Sequence, residues 1–212
     1  KSGRNENGRK RGTPAENVVL WDCTVYHGHG GFVVGSEMSG GVRNVLVRNC
    51  EFLGTDVGIR FKSTRGRGGV VENIYLEDIR MKDIATDAIR FNLFYQQKFP
   101  GPEKSLEIPA DPVTEETPRF QNISMKNIFC QGAKRAIFMQ GLPEMPVRQV
   151  VFENIAISAD SGITCILSDE VSFKNVTVLP QKGLAFGFYN GSNISLENVS
   201  NLGSKGRLIK LY

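Results

Sequence analysis

The sequence is short of histidine, tryptophan and cysteine, and it has no long apolar run. Histidine occurs twice, tryptophan once and cysteine four times in 212 residues. The cysteines form no CxxC pair, and no Cys/His set has zinc-finger spacing, which excludes a structural zinc site and a dense disulfide scaffold. No apolar run approaches the length of a membrane-spanning helix. Aromatic residues are not interleaved with the basic clusters, and no nucleic-acid module is recognisable, so nucleic acid is not the expected partner. No cluster of acidic residues offers a calcium site, and no metal or other cofactor is expected. The opening KSGRNENGRKRG is polar and basic rather than a signal peptide, so the chain is either cytosolic or has lost its start. Helical hydrophobic periodicity is almost wholly missing.

What the chain has instead is a repeat. The segments NVVLWDC from Asn17, NVLVRNC from Asn44, NIYLEDI from Asn73 and NISMKNI from Asn122 align without gaps. QVVFENI from Gln149, EVSFKNV from Glu170 and NISLENV from Asn193 continue the series. The sixth residue is always Asn or Asp: Asp22, Asn49, Asp78, Asn127, Asn154, Asn175 and Asn198. The spacings are 27, 29, 49, 27, 21 and 23 residues. The double-length step holds an insertion, residues 95–118, with five of the nine prolines and an acidic bias. A second strand-like run follows each segment: GFVVGS, GIRFKS, AIRFNL, AIFMQG, ITCILS, LAFGFYN and RLIKLY. Short strands at a period in the twenties mean a solenoid. A leucine-rich repeat needs its leucine pattern and a helical return, and neither is present. The expected fold is all-β: a right-handed parallel β-helix of about seven coils, one domain over residues 1–212.

The Asn/Asp column has a physical cause. These residues tolerate the left-handed backbone of a tight corner, and stacked amides hydrogen-bond from coil to coil. The next column, Cys23, Cys50, Ile79, Ile128, Ile155, Val176 and Val199, should point inward. Cys23 and Cys50 are therefore expected as free, buried thiols. The five NxS/T sequons coincide largely with the repeat, and ladder asparagines are poor glycan acceptors.

The net charge of +4 is unevenly placed. Arg4, Arg9, Lys10 and Arg11 form one cluster, and Arg60, Lys62, Arg65 and Arg67 another. Such clusters attract polyanions or are solvated loops. In GIRFKS, strand alternation turns Ile59 and Phe61 inward and sets Arg60 and Lys62 side by side outside. Adjacent cations on a rigid strand repel, a cost expected where an anion sits between them. Both histidines lie in YHGHGGFVVGS. Aligning Ser36 with Ser63 puts His29 opposite Asp56, one coil from Arg60 and Lys62. His27, His29, Arg60 and Lys62 are expected to share one groove.

The pair GHG (Gly28-His29-Gly30) and RFK (Arg60-Phe61-Lys62), about thirty residues apart, resembles glycoside hydrolase family 28. This is the polygalacturonase family, which hydrolyses pectin. The surrounding GSEMSGGVRNV and STRGRGGVVENI resemble its bacterial branch, and the likeness runs over essentially the whole chain. The resemblance implies inverting hydrolysis of a galacturonate-containing polysaccharide, in which one Asp protonates the leaving oxygen and another activates water. It implies that His29 steadies those aspartates, and that Arg60 and Lys62 bind the galacturonate carboxylate. Tyr95, in RFNLFY, matches a tyrosine that touches the sugar, and His27 lines the wall. It also implies a periplasmic or extracellular protein.

The family's NxD and DD motifs do not precede His29, and KSG resembles the text just after them. The chain is therefore expected to be the C-terminal part of a catalytic domain, with the catalytic aspartates missing. Asp56, Asp87 and Glu37 are the nearest local carboxylates. The alternative is a non-catalytic β-helix module that binds an acidic polysaccharide. An uncovered first coil is expected to self-associate or to hold the missing half.

Overall fold

The computed structural model describes residues 1–201 and 209–212. The chain begins with a helix, α1 (Asn5–Arg11). The first coil follows as β1 (Ala15–Trp21), β2 (Thr24–Tyr26) and β3 (Phe32–Gly35), and the second as β4 (Val42–Leu53) and β5 (Ile59–Lys62). Then come β6 (Val70–Asn92), a short helix α2 (Pro102–Ser105), β7 (Arg119–Gln140), β8 (Val147–Ala159) and β9 (Ser161–Pro180). β10 (Phe186–Ser192), β11 (Ser195–Ser200) and β12 (Ile209–Leu211) complete the described elements. The last strand-like run of the sequence includes Arg207 and Leu208, which lie outside the described residues.

Every pairing between these strands is parallel, in the order β1-β4-β6-β7-β8-β9-β10-β12. The fold is a right-handed parallel β-helix, and its rungs are the seven sequence repeats. Each apolar position of the repeat becomes an inward column. Val45, Ile74, Ile123, Val150 and Val171 form one, and Cys50, Ile79, Ile128, Ile155 and Val176 another, all buried. Phenylalanines stack at the coil step: Phe61 on Phe91 at 4.7 Å and Phe152 on Phe173 at 4.9 Å between ring centroids. That spacing matches the roughly 4.8 Å between hydrogen-bonded strands, so rings in the same column of successive coils stack face to face.

The corners are built by the Asn/Asp column. Asp22, Asn49, Asp78, Asn127, Asn154, Asn175 and Asn198 all have φ between 50° and 56°. Their side chains form a ladder in which the later coil donates. Asn49 donates to Asp22 at 2.6 Å, Asn127 to Asp78 at 2.8 Å, and Asn154 to Asn127 at 3.1 Å. Asn175 to Asn154 and Asn198 to Asn175 continue it. Asp78, having no side-chain N–H, cannot donate back to Asn49, and the ladder breaks there. A second left-handed corner sits at the first residue of each repeat, where even Gln149 (φ 56°) and Glu170 (φ 51°) adopt it. Asn44, Asn73 and Asn122 form its ladder, each donating to the preceding coil.

Two expectations need correction. Cys23 is free but exposed rather than buried, because among the described residues it has a coil on one side only; Cys50 is free and buried as expected. The N-terminal basic cluster is not a solvated loop. Arg9, Lys10 and Arg11 lie in the last turn of α1, where cations meet the negative end of the helix dipole.

Candidate active site

The outward residues of β3, β5 and the ends of β6 and β7 lie side by side on one face of the solenoid. Register fixes their rows. Val33, Arg60, Arg90 and Phe138 are successive partners, and so are Gly35, Lys62, Asn92 and Gln140. Ile59 and Phe61 are wholly buried, so Arg60 and Lys62 are held outward by the packing beneath them. Gly35 (φ 92°) lies so close to the Lys62 carbonyl oxygen that a Cβ there would overlap it at 1.9 Å. This close contact brings the two coils together at Lys62.

Tyr95 closes one side. The Arg60 guanidinium carbon is 5.5 Å and Lys62 Nζ 4.7 Å from the centre of its ring. Cation–π contacts of this kind are worth about 0.5–2 kcal/mol each. They orient both cations without neutralising them. Arg60 Nε is buried with no hydrogen-bond partner. A buried, unpartnered guanidinium N–H is costly unless an incoming anion accepts from it.

His29 lies at the corner that leads into β3. Its Nδ1 is 2.7 Å from Asp56 Oδ2, so the cross-coil alignment of the two is observed, and the ring is otherwise open to solvent. That contact leaves Nε2 free for a further partner. The glycine after this motif has a packing reason: a Cβ on Gly31 would lie about 2.1 Å from the Phe52 ring. His27 stands apart. Its ring lies against Gly54 of the next coil, where a Cβ would come within 2.7 Å of Nδ1. The structure thus joins Arg60, Lys62 and Tyr95 directly and links His29 to Asp56, while His27 packs on the corner.

The other local carboxylates are already engaged. Asp87 is 2% exposed and sits between two guanidinium groups, Arg90 Nε at 2.8 Å and Arg135 Nε at 2.6 Å. Burial presses the Arg90 guanidinium below its usual value; Asp87 opposes this, and Arg135 and Arg60 add to it. Glu37 pairs with Lys1 at 2.9 Å, and that hydrogen bond holds its carboxyl below the ordinary range. The Asp87–Arg90–Arg135 group was missed by sequence reasoning. The signal was present: aligning AIRFNL with GIRFKS stacks Arg90 on Arg60.

Arg9, Arg65 and Arg67, from the two basic clusters, are structural clamps. Arg9 Nη2 donates to Glu116 at 2.8 Å. Arg65 makes two hydrogen bonds to the Glu144 carboxylate, at 2.8 and 2.7 Å, and donates to the Pro109 carbonyl. Arg67 is buried and donates to Asn5. Arg9 and Arg65 fasten the insertion of residues 95–118 against the solenoid.

The structure is thus a parallel β-helix whose outward strand carries paired cations beside an aromatic ring. The sequence profile of glycosyl hydrolases family 28 matches residues 10–178, and the chain belongs to that family. It is 28% identical over 170 residues to the exo-poly-alpha-D-galacturonosidase of Dickeya chrysanthemi, covering 77% of this chain and 27% of that protein. The crystal structure of a hyperthermoactive exopolygalacturonase from Thermotoga maritima superposes with a TM-score of 0.73 at 31% identity, covering 84% of this chain and 37% of that one. The family 28 exopolygalacturonase of Yersinia enterocolitica shares the fold with a TM-score of 0.74 at 20% identity, covering 96% and 34%. The chain spans about a third of these proteins' length or less.

Proposed function

We propose that this chain is the carboxylate-binding part of a polygalacturonase-type glycoside hydrolase, which cuts galacturonate-containing polysaccharide with inversion. The observation that carries this reading is the pair Arg60 and Lys62, outward on one strand, both against Tyr95, with Arg60 Nε buried and unpartnered. A sugar carboxylate fits such a cradle, because its two oxygens accept from the guanidinium while the ammonium supplies the remaining charge. Tyr95 gives the sugar ring an apolar wall. His29, held by Asp56, keeps one ring nitrogen for a catalytic carboxyl and steadies its protonation and orientation.

Inverting hydrolysis needs an acid and a base about 6.5–9.5 Å apart. Asp87 and Glu37 are each committed to an ion pair, and Asp56 to a hydrogen-bond contact with His29. We therefore assign the acid and base to the family's aspartates, which these residues do not include. The same commitment of every local carboxylate favours a second reading, in which the chain binds an acidic polysaccharide without cutting it. Place of action is the periplasm or cell exterior, where pectin is met; no described helix is long and apolar enough to cross a membrane. Leu20, Trp21 and Cys23, exposed side by side on one coil, support self-association. Light scattering that shows a clean monomer at high concentration removes that part.

The test is oligogalacturonate binding together with release of reducing ends. Each charge-assisted contact contributes about 1.5–3 kcal/mol, so Arg60→Gln or Lys62→Gln should weaken binding about ten- to a hundredfold. Binding unaffected by both variants overturns the assignment. Turnover by this chain that vanishes in His29→Ala shows that local carboxylates do the chemistry.

A further inference from the structure

The pattern that sets Arg60 and Lys62 outward occurs a second time. Ile79-Arg80-Met81-Lys82 in β6 repeats Ile59-Arg60-Phe61-Lys62 in β5. Arg80 precedes the left-handed corner at Asp83 and Arg90 follows it, so the row of Arg80 lies on a different face from the row of Arg60 and Arg90. Ile79 and Met81 are buried, which turns Arg80 and Lys82 outward. Glu51, Arg80, Phe129 and Ala156 are successive partners in one row. Lys82, Gln131, Ser158 and Leu179 are successive partners in the next. The outward residues between Phe129 and Leu179, Ala156 and Ser158, are small. A hollow of about 450 Å³ opens there, with mostly apolar walls. Phe129 is 50% and Leu179 36% exposed. Among the described residues the side chains of Glu51, Arg80, Lys82 and Gln131, all exposed, have no hydrogen-bond or ion-pair partner. Asp78, the carboxylate nearest to Arg80 in sequence, faces Arg48 instead, 3.7 Å from its Nε.

We propose that this hollow is a second binding site, which holds a uronate unit of an acidic glycan. Arg80 donates two hydrogen bonds to the sugar carboxylate, and Lys82 supplies a further donor and charge. Phe129 offers its ring to the apolar face of the sugar. Glu51 accepts from hydroxyl groups, and the Gln131 amide both donates and accepts. Two cations against one carboxylate leave a single positive charge, which suits a singly charged sugar acid better than a phosphate-rich polyanion. From Lys82 to Leu179 is three coil steps, about 14 Å, the reach of a short oligosaccharide. Glu51 is the only carboxylate among the described residues of the lining, and hydrolysis needs two. The site therefore holds glycan and does not cut it. It stands independently of the role proposed for Arg60 and Lys62.

The experiment is calorimetry of the 212-residue chain with trigalacturonate, alongside Arg80→Gln/Lys82→Gln, Phe129→Ala and Arg60→Gln/Lys62→Gln. The expected result is two sites on the wild type and one on each double variant, with the site at the hollow weakened about five- to tenfold by Phe129→Ala. A single wild-type site that survives Arg80→Gln/Lys82→Gln and is lost in Arg60→Gln/Lys62→Gln overturns the second site and leaves the proposed function standing. A single site with the opposite response supports the hollow and overturns the role of Arg60 and Lys62. Absence of binding by the wild type overturns both. Equal affinity of the hollow for the uncharged galactose trimer overturns the assignment to a sugar acid. Sedimentation of the protein alone checks the remaining occupant: a dimer that Phe129→Ala dissociates shows that a second copy covers this face, and overturns the glycan. Every substituted position on this face is exposed, so circular dichroism should show wild-type melting for these variants. Should Arg80→Gln/Lys82→Gln fail to fold, Phe129→Ala decides, and an unchanged pair of affinities in it refutes the proposal.

Discussion

Replacing Asp87 by Asn should destabilise the protein severely while leaving any chemistry assigned to other groups intact. The carboxylate is buried, with Arg90 at 2.8 Å and Arg135 at 2.6 Å. Asn keeps the shape but removes the only anion between two guanidinium groups that are themselves largely covered, 25% and 22% exposed. Breaking a buried ion pair from one side costs about 3–5 kcal/mol, because the remaining charge stays uncompensated. At 2–4 °C per kcal/mol for a chain of this size, the midpoint of thermal unfolding should fall by roughly 6 to 20 °C. Circular dichroism on heating measures this directly. Adding Arg135→Met to Asp87→Asn should recover part of the loss, since the stranded charge is then removed and Met packs on Phe138. If Asp87→Asn melts with the wild type yet abolishes reducing-end release, Asp87 is chemical rather than structural, and the reasoning fails.

Other expectations follow from single positions. Asp78→Asn should stabilise the chain by about 0.5–1.5 kcal/mol, because its new N–H can donate to Asn49 and close the broken ladder; urea titration reads the gain. Asn127→Ala should cost more than Asn127→Gly, since only the alanine also bears the left-handed penalty of about 1–2 kcal/mol at φ 55°. A thiol reagent on the native protein should label one cysteine rapidly, Cys23, because burial covers the others and pushes the Cys130 thiol up to about 12. Rapid labelling of two or more contradicts this packing. Burial alone would raise the Glu144 carboxyl, but its hydrogen bonds from Arg65 hold it below the ordinary 4.5. Its folded value is thus lower than its unfolded one. The stability it lends is complete above about pH 4.5 and is lost as pH falls through the lowered folded value. Hydrogen exchange in the insertion should accelerate over that acid range, and Glu144→Gln should remove the step.

How much of this was legible beforehand depended on which interactions repeat. The corner asparagines, the inward columns and the stacked phenylalanines recur at each coil, so seven copies of one pattern made them readable from sequence. Arg60, Lys62, Tyr95 and His29 were readable for another reason, since two short motifs at a fixed spacing marked them. Cys23 was misjudged because a column predicts which way a side chain points, not whether another coil covers it. The left-handed backbone at Gln149 and Glu170 was not foreseen either. Neither residue favours that region by itself, and the corner is imposed by the asparagines stacked on neighbouring coils.

The insertion was the least legible part. Its prolines and acidic residues set it apart as an insertion, but nothing in its own sequence says where it lies down. That is fixed by partners far away along the chain: Arg9 for Glu115 and Glu116, Arg65 for Asp111, Phe138 for Phe99 and Gln140 for Ser105. Each of those partners looks ordinary alone. Phe138 and Ile166 read as further strand residues, and only the register shows that they face outward and must be covered. The basic clusters carry the same lesson. Among the described residues no carboxylate pairs with Arg60 or Lys62, whereas Arg9 pairs with Glu115 and Glu116 and Arg65 with Glu144 and Asp111.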